Sequence, residues 1–196
     1  MRRDAEPLLT GDEGAALVEF ALVFPLLMVL MLGMVSAGVA WNQQLQITHA
    51  AREGARYGAT VPRDQAFVPA TDTWAKAVSD VTLGRAGGEL EIDGATICVA
   101  LVQGSGGSLR VVGTPASPGT PSANYVRAGT RSGGTWSYSN NGVQPCIAGE
   151  TYPVTVDDDG RRVQVTITRP GRIEALALAF PFTEKADATS KAESTA

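Results

Sequence analysis

The stretch that decides the fold is Gly14–Trp41, GAALVEFALVFPLLMVLMLGMVSAGVAW. From Phe20 to Trp41 it holds 22 residues without a formal charge. As a helix rising about 1.5 Å per residue, that run spans roughly 33 Å, close to the ~30 Å hydrocarbon core of a bilayer. Backbone amides in lipid must bond within their own segment, so a transmembrane helix is expected. Pro25 removes one amide donor near its start, which predicts a kink rather than an end. A buried core helix of comparable character is usually about 10–14 residues long. A secretory signal has an apolar run of about 7–15 residues before a small-x-small site. Here the best such site, Gly38-Val39-Ala40, leads straight into further helical pattern.

Outward from the span, the first feature on the N-terminal side is Glu19, a carboxylate at the edge of lipid. Such a charge is costly and calls for a partner, unless it lies among the head groups. Gly14 stands five residues earlier, in Gly14-Ala15-Ala16-Leu17-Val18-Glu19-Phe20. Beyond Trp41, helical spacing continues through NQQLQITHAAREGARYGAT, with Trp41, Leu45, Thr48, Ala51, Ala55 and Ala59 on one narrow face of mostly small residues. One helix is therefore expected from about Ala15 to about Ala59, roughly 65 Å long, with Gly33, Gly38 and Gly54 as weak points and Pro62 beyond its end.

Gly14 with Glu19 resembles a class III prepilin signal, in which a membrane peptidase cuts after the glycine and leaves a glutamate at the fifth mature position. Glu-Phe-Ala-Leu-Val-Phe-Pro at 19–25, the span, and Ala-Ala-Arg-Glu-Gly-Ala-Arg-Tyr at 50–57 together resemble the TadE-like family of pilus-assembly proteins, minor pilin-like subunits of the tight-adherence (Flp) pilus. The resemblance covers 14–59. Phe20 stands where a tyrosine is frequent, and the leader is acidic, with Asp4, Glu6, Asp12 and Glu13 against Arg2 and Arg3. It implies cleavage between Gly14 and Ala15 and a helix-register role for Glu19 and Phe20. It also implies a single-pass protein of the cytoplasmic membrane, N-terminus inside and C-terminal domain outside. The partners implied are the lipid bilayer, a prepilin peptidase, and other pilin-like and Tad assembly proteins. Charge counting does not settle orientation, because Arg52, Arg56 and Arg63 lie on the far side of the span.

The rest of the chain reads as a small extracytoplasmic α+β domain with a pilin-like antiparallel sheet. Thr71–Val81 predicts a short helix, with Trp74, Ala77, Val78 and Val81 on one face. Leu90–Val102, Leu109–Val112, Thr151–Val156 and Val163–Arg169 predict strands, and Asp157-Asp158-Asp159-Gly160 predicts a hairpin turn rather than a calcium loop. Gly171–Phe182 fits a short helix or a strand, and Thr183–Ser190 an edge strand. The organisation expected is a leader 1–14, a span 15–41, a stalk 42–60, a domain 61–182 with a Gly/Ser/Thr-rich insertion 113–145, and an edge strand with a loose tail 183–196. Tyr125, Trp136 and Tyr138 in that insertion are candidates for recognition of a glycan or partner, or for packing onto their own domain. That sets a second reading, a membrane-tethered module binding cell-wall or glycan ligands. Cys98 and Cys146 are candidates for a disulfide in an exported domain, or for two free thiols.

Composition narrows the chemistry. Of 196 residues, 44% are hydrophobic and only 18% charged, below the roughly 25% of ordinary soluble domains. A net charge of −4 offers no basic surface for phosphate, so no nucleic-acid partner is expected. One histidine and two cysteines leave no zinc set, and His49 lies on the long helix, away from any nucleophile in the domain. Gly104-Ser105-Gly106-Gly107 joins two predicted strands, so it is no phosphate loop. No catalytic residue, cofactor, metal or small-molecule substrate is expected.

Overall fold

The computed structural model describes residues 11–61, 73–105, 108–111, 113–114, 117–121, 125–139, 146, 161–175 and 178–192. Most of the expected leader, the predicted strand 151–156, the turn 157–160 and the last four residues lie outside them.

Helix α1, Gly11–Thr60, runs 50 residues without interruption and passes through Pro25. Its last turn closes with the Thr60 hydroxyl donating to the Tyr57 carbonyl at 3.0 Å, and the Val61 amide bonding to the same oxygen at 3.1 Å. Helix α2, Trp74–Arg85, starts where the Thr73 hydroxyl accepts from the Lys76 amide at 3.2 Å, a side-chain N-cap. Past Arg85, Gly87 and Gly88 hold φ of 60° and 88°, which turns the chain toward the sheet.

The strands are β1 (Thr96–Ser105), β2 (Ser108–Val111), β3 (Gly113–Thr114), β4 (Ser117–Pro121), β5 (Val126–Ser132), β6 (Thr135–Ser139), β7 (Arg161–Ala175) and β8 (Leu178–Lys191). The main sheet runs β6-β5-β1-β7-β8 with β2 added to β1, and β3 pairs with β4 apart from it. Every described pairing is antiparallel. The α+β expectation therefore stands. Two details differ from it. Leu90–Gly94 forms turns, so the first strand starts at Thr96. Residues 126–132 and 135–139, expected in a loop insertion, are β5 and β6, with β5 paired to β1. The ambiguous 171–182 stretch contributes to two strands, whose pairing runs from Arg162↔Lys191 to Ala175↔Leu178.

Period-two alternation puts one row of side chains under the helices. Ile97 pairs with Ile167 and Ile167 with Ala186, while Val99 pairs with Val165 and Val165 with Ala188. All belong to one buried cluster with Ile47, Ala50, Ala51 and Ala55 of α1 and Trp74 and Val78 of α2. Alanines on α1 thus meet alanines on β8, which permits a close approach. The covered face of α1 is Ile47, Ala50, Ala51, Gly54, Ala55, Gly58 and Ala59. Ala51, Ala55 and Ala59 of the face expected from spacing are covered, whereas its first members are not, since Trp41 is 70% exposed and Leu45 44%. The sheet and α2 dock on the smallest residues, and of the glycines counted as weak points Gly54 is a contact position, facing the Thr82 side chain, while Gly33 and Gly38 meet nothing within 4 Å. A Cβ on Gly58 would lie 2.9 Å from Val163 and Val78 and 3.0 Å from Trp74. The Trp74 indole donates to the Gly58 carbonyl at 3.1 Å, meeting one of the acceptors a helix C-terminus leaves open. On α2 the buried face is Trp74, Ala75, Val78, Ser79 and Thr82, one residue round from that expected.

Two contacts fix the direction of α1 on the sheet. Gly58 lies against Val163, and the Gln44 amide donates to the Lys185 carbonyl at 2.8 Å, with Lys185 paired to Thr168. Going back along α1 from 58 to 44, β7 advances from 163 to 168. Helix and β7 are antiparallel.

Bare backbone on two strands is covered by rings opposite. Tyr138 of edge strand β6 lies across Gly129, and Phe182 of edge strand β8 across Gly171. Between the sheet and the turn after α2, Arg169 Nη1 donates to Glu89 Oε2 while Arg169 Nε lies 3.2 Å from Glu184 Oε2. Arg169 and Glu184 are directly opposed on β7 and β8 and nearly inaccessible, at 7% and 4% exposure. Burial pushes the Glu184 carboxyl above its ordinary value of 4.5, against the pull of Arg169 and with a further push from Glu89.

Two stability tests follow from this packing. Gly58→Val should lower the stability of the full chain in detergent by about 1–3 kcal/mol through overpacking, whereas Gly84→Ala, whose Cβ meets nothing within 4 Å, should raise it by about 1 kcal/mol. Thermal melts followed by circular dichroism measure both. Because its native pKa is raised, Glu184 holds its proton more tightly in the folded chain; its favourable contribution is complete below about pH 4.5 and is lost as pH rises through the native value. Glu184→Gln should therefore match the parent near pH 4.5 and melt higher than it at neutral pH. A parent curve with no such divergence would contradict the assignment.

Candidate assembly site on the membrane helix

The residues marked by the sequence lie at the N-terminal end of α1. Gly14 is exposed, and a Cβ there would meet nothing within 4 Å. Glu19 follows Ala15 by four residues, one helical turn, so the two share a face. Phe20 is 62% exposed, and its ring stacks at a tilt against Phe24 with centroids 5.4 Å apart. From Leu17 to Leu32 the apolar side chains are uncovered, which leaves a continuous surface for lipid or for another helix. This is the one helix among the described residues long and apolar enough to cross a membrane.

Chemically, the stretch Gly14–Trp41 offers a single carboxylate, Glu19, among otherwise uncharged residues. A cut before Ala15 would create an α-amine one turn from Glu19. At 4 Å and an effective dielectric of about 20, such charges attract by about 4 kcal/mol. The small-residue face lies further along the same rod and is occupied by the sheet.

The other marked residues lie elsewhere. Cys98 of β1 is joined to Cys146, with Cα atoms 5.6 Å apart. Cys146 packs against Ala100, Val102 and Val126, on the sheet face opposite the helices. Tyr125, Trp136 and Tyr138 are half-buried against the main core. Tyr125 sets its edge to Trp74 at 6.4 Å, and Trp136 stacks on Tyr138 at 6.1 Å. The Arg127 guanidinium lies 3.6 Å from the Tyr138 ring centre and donates to the Ser79 hydroxyl at 3.2 Å. These rings fasten β5 and β6 to the core. Sequence reading missed the Arg169, Glu89 and Glu184 cluster, whose members stand far apart in the chain. Among the described residues no group of three or more His, Cys, Asp or Glu is placed to hold a metal ion.

Reduction of the Cys98–Cys146 bond opens a closed loop with a separation of 48 residues. In the chain-entropy account this should cost about 4 kcal/mol, seen as a lower melting temperature of the intact chain in reductant. An unchanged melting temperature would show that the bond constrains nothing in the unfolded chain.

The family model for TadE-like protein matches residues 14–56. No curated protein and no solved structure matches the chain. The match takes in Gly14, Glu19, the whole charge-free run and the small-residue face as far as Arg56. Residues 14–56 are thus similar to the TadE-like family, and the match is confined to that segment.

Proposed function

We propose that this chain is a minor pilin-like assembly subunit of a tight-adherence (Flp) pilus, held in the cytoplasmic membrane by α1 with its N-terminus inside and its α+β domain outside. A prepilin peptidase cuts between Gly14 and Ala15. The new amine of one copy then pairs with Glu19 of a neighbouring pilin-like helix, and Phe20 packs beside that contact. The observation that carries this reading is the match to TadE-like protein over 14–56, with Gly14 and Glu19 uncovered at one end of the apolar rod. The protein acts by assembly and not by catalysis; in support, its only histidine, His49, is exposed on α1 away from the domain core. Its partners are the bilayer, the peptidase, and other pilin-like and Tad assembly components.

Intact-mass measurement of protein extracted from the membrane tests the processing step. The expected mature chain begins at Ala15, and a mass retaining residues 1–14 would remove the peptidase step. Glu19→Ala should leave the protein in the membrane while reducing piliation at least tenfold. Normal piliation in that variant would remove the register role.

A further inference from the structure

We propose that the membrane-side end of the outer domain is itself a lipid-contact surface: the end of strands β7 and β8 that runs back along α1 enters the head-group and acyl boundary and presents Phe180 to the bilayer, with Ile92 exposed at the same end of the sheet. This rests on α1 being the membrane span.

The geometry begins at Gln44, which bonds to Lys185 opposite Thr168. Because β7 is antiparallel to α1, its residues after Thr168 run back toward the N-terminal half of the helix. The β7–β8 pairing continues past that point to Ala175↔Leu178. Phe180 lies five residues from Lys185, roughly 16 Å at about 3.3 Å per residue, the length of about eleven helical residues. That places it level with about Gly33, inside the Phe20–Trp41 run. Ser36 and Ala40, between Gly33 and Gln44, are half-buried while Val35 and Val39 beside them are exposed, which continues the covered side of α1 into its apolar part.

A second observation is independent of that distance. Outside α1, the exposed large hydrophobic residues among those described are Phe180, at 56%, and Ile92, at 39%. Both lie at this one end. Ile92 belongs to the turn before Gly94, and a Cβ on Gly94 would lie 3.6 Å from Pro170, two residues beyond Thr168 toward the hairpin end. The sequence from 175 to 183, Ala-Leu-Ala-Leu-Ala-Phe-Pro-Phe-Thr, has no charge. Exposed apolar groups gathered at the end where an apolar rod emerges fit a lipid surface.

Two features limit the depth. Arg172 and Glu174 lie in β7 opposite Pro181 and Ala179. Strand β8 is a sheet edge, with β7 as its one strand partner among the described residues, and an open sheet edge is not tolerated in hydrocarbon. The contact is therefore interfacial, at the level where aromatic side chains collect.

The test uses the full chain with its disulfide intact, carrying one added cysteine labelled with an environment-sensitive fluorophore. The sites are Phe180→Cys, Thr189→Cys at the far end of β8, and Met28→Cys in the span. The protein is reconstituted in vesicles of phosphatidylethanolamine and phosphatidylglycerol and quenched either by lipid-borne nitroxide or by aqueous iodide. The label at 180 should be quenched by nitroxide roughly threefold more than the label at 189, with iodide showing the reverse order. Iodide quenching at 180 equal to that at 189 would overturn the proposal. Protection of 180 from both quenchers would also overturn it, because protein would then cover the hairpin. If 28 responds to lipid and 180 does not, the hairpin contact fails while the anchor stands; if neither responds, the anchor itself fails.

Discussion

Everything in this protein depends on one helix meeting two solvents. Over its first half α1 satisfies its own backbone bonds and turns apolar side chains outward, as lipid demands. Over its second half the same helix must supply one wall of a water-soluble core. It does so with residues that have almost no side chain. Ala50, Ala51, Gly54, Ala55, Gly58 and Ala59 bury little apolar area each, so their contribution is proximity: Val163, Val78 and Trp74 reach the helix backbone itself. Larger residues on this face would hold the sheet off, and the big side chains therefore come from the strands and from α2.

The edges of the sheet repeat that logic on a smaller scale. Gly129 and Gly171 each face an aromatic ring from the neighbouring edge strand. A ring lying on bare backbone is a cross-strand contact that no one-residue slip preserves. Register is thus held at β6 and β8, the two ends of the β6-β5-β1-β7-β8 path. At β8 the buried opposition of Arg169 and Glu184 adds a polar constraint of the same kind. One guanidinium there faces two carboxylates, so the cluster holds one negative charge more than it can balance, and a proton is the natural remedy.

Much of this architecture was legible in the residues. The charge-free run, the stalk that follows it and the strands with strong β-branched alternation announce themselves through period. Strands β5 and β6 did not, because Arg127 and Arg131 occupy inward-alternating positions and Gly, Ser and Thr interrupt the few apolar residues. The available signal was Gly133-Gly134 between Ser132 and Thr135, a two-residue hairpin connection. The small residues Ala51, Ala55 and Ala59 of the stalk face were read correctly, and only its start was misplaced, because spacing favoured Trp41 and Leu45 whereas docking selects small residues. At the N-terminal end of α1, Gly14 and Glu19 draw the reading because one charge beside a long apolar run has few explanations. The Arg169 cluster depends on strand register, which no local pattern carries.

The antiparallel seating of α1 on the sheet also makes the molecule a lever. Between Gln44 and Gly58 the helix is bonded and packed to β7, β8 and α2, so it does not flex independently of the domain there. Gly33 and Gly38 have no such neighbours. Bending is cheapest at those two points, and a tilt of about 10° at that level carries the far end of the stalk sideways by about 5 Å, since some 20 residues of helix lie beyond it. Force applied to the α+β domain reaches the apolar half of α1 through that pivot.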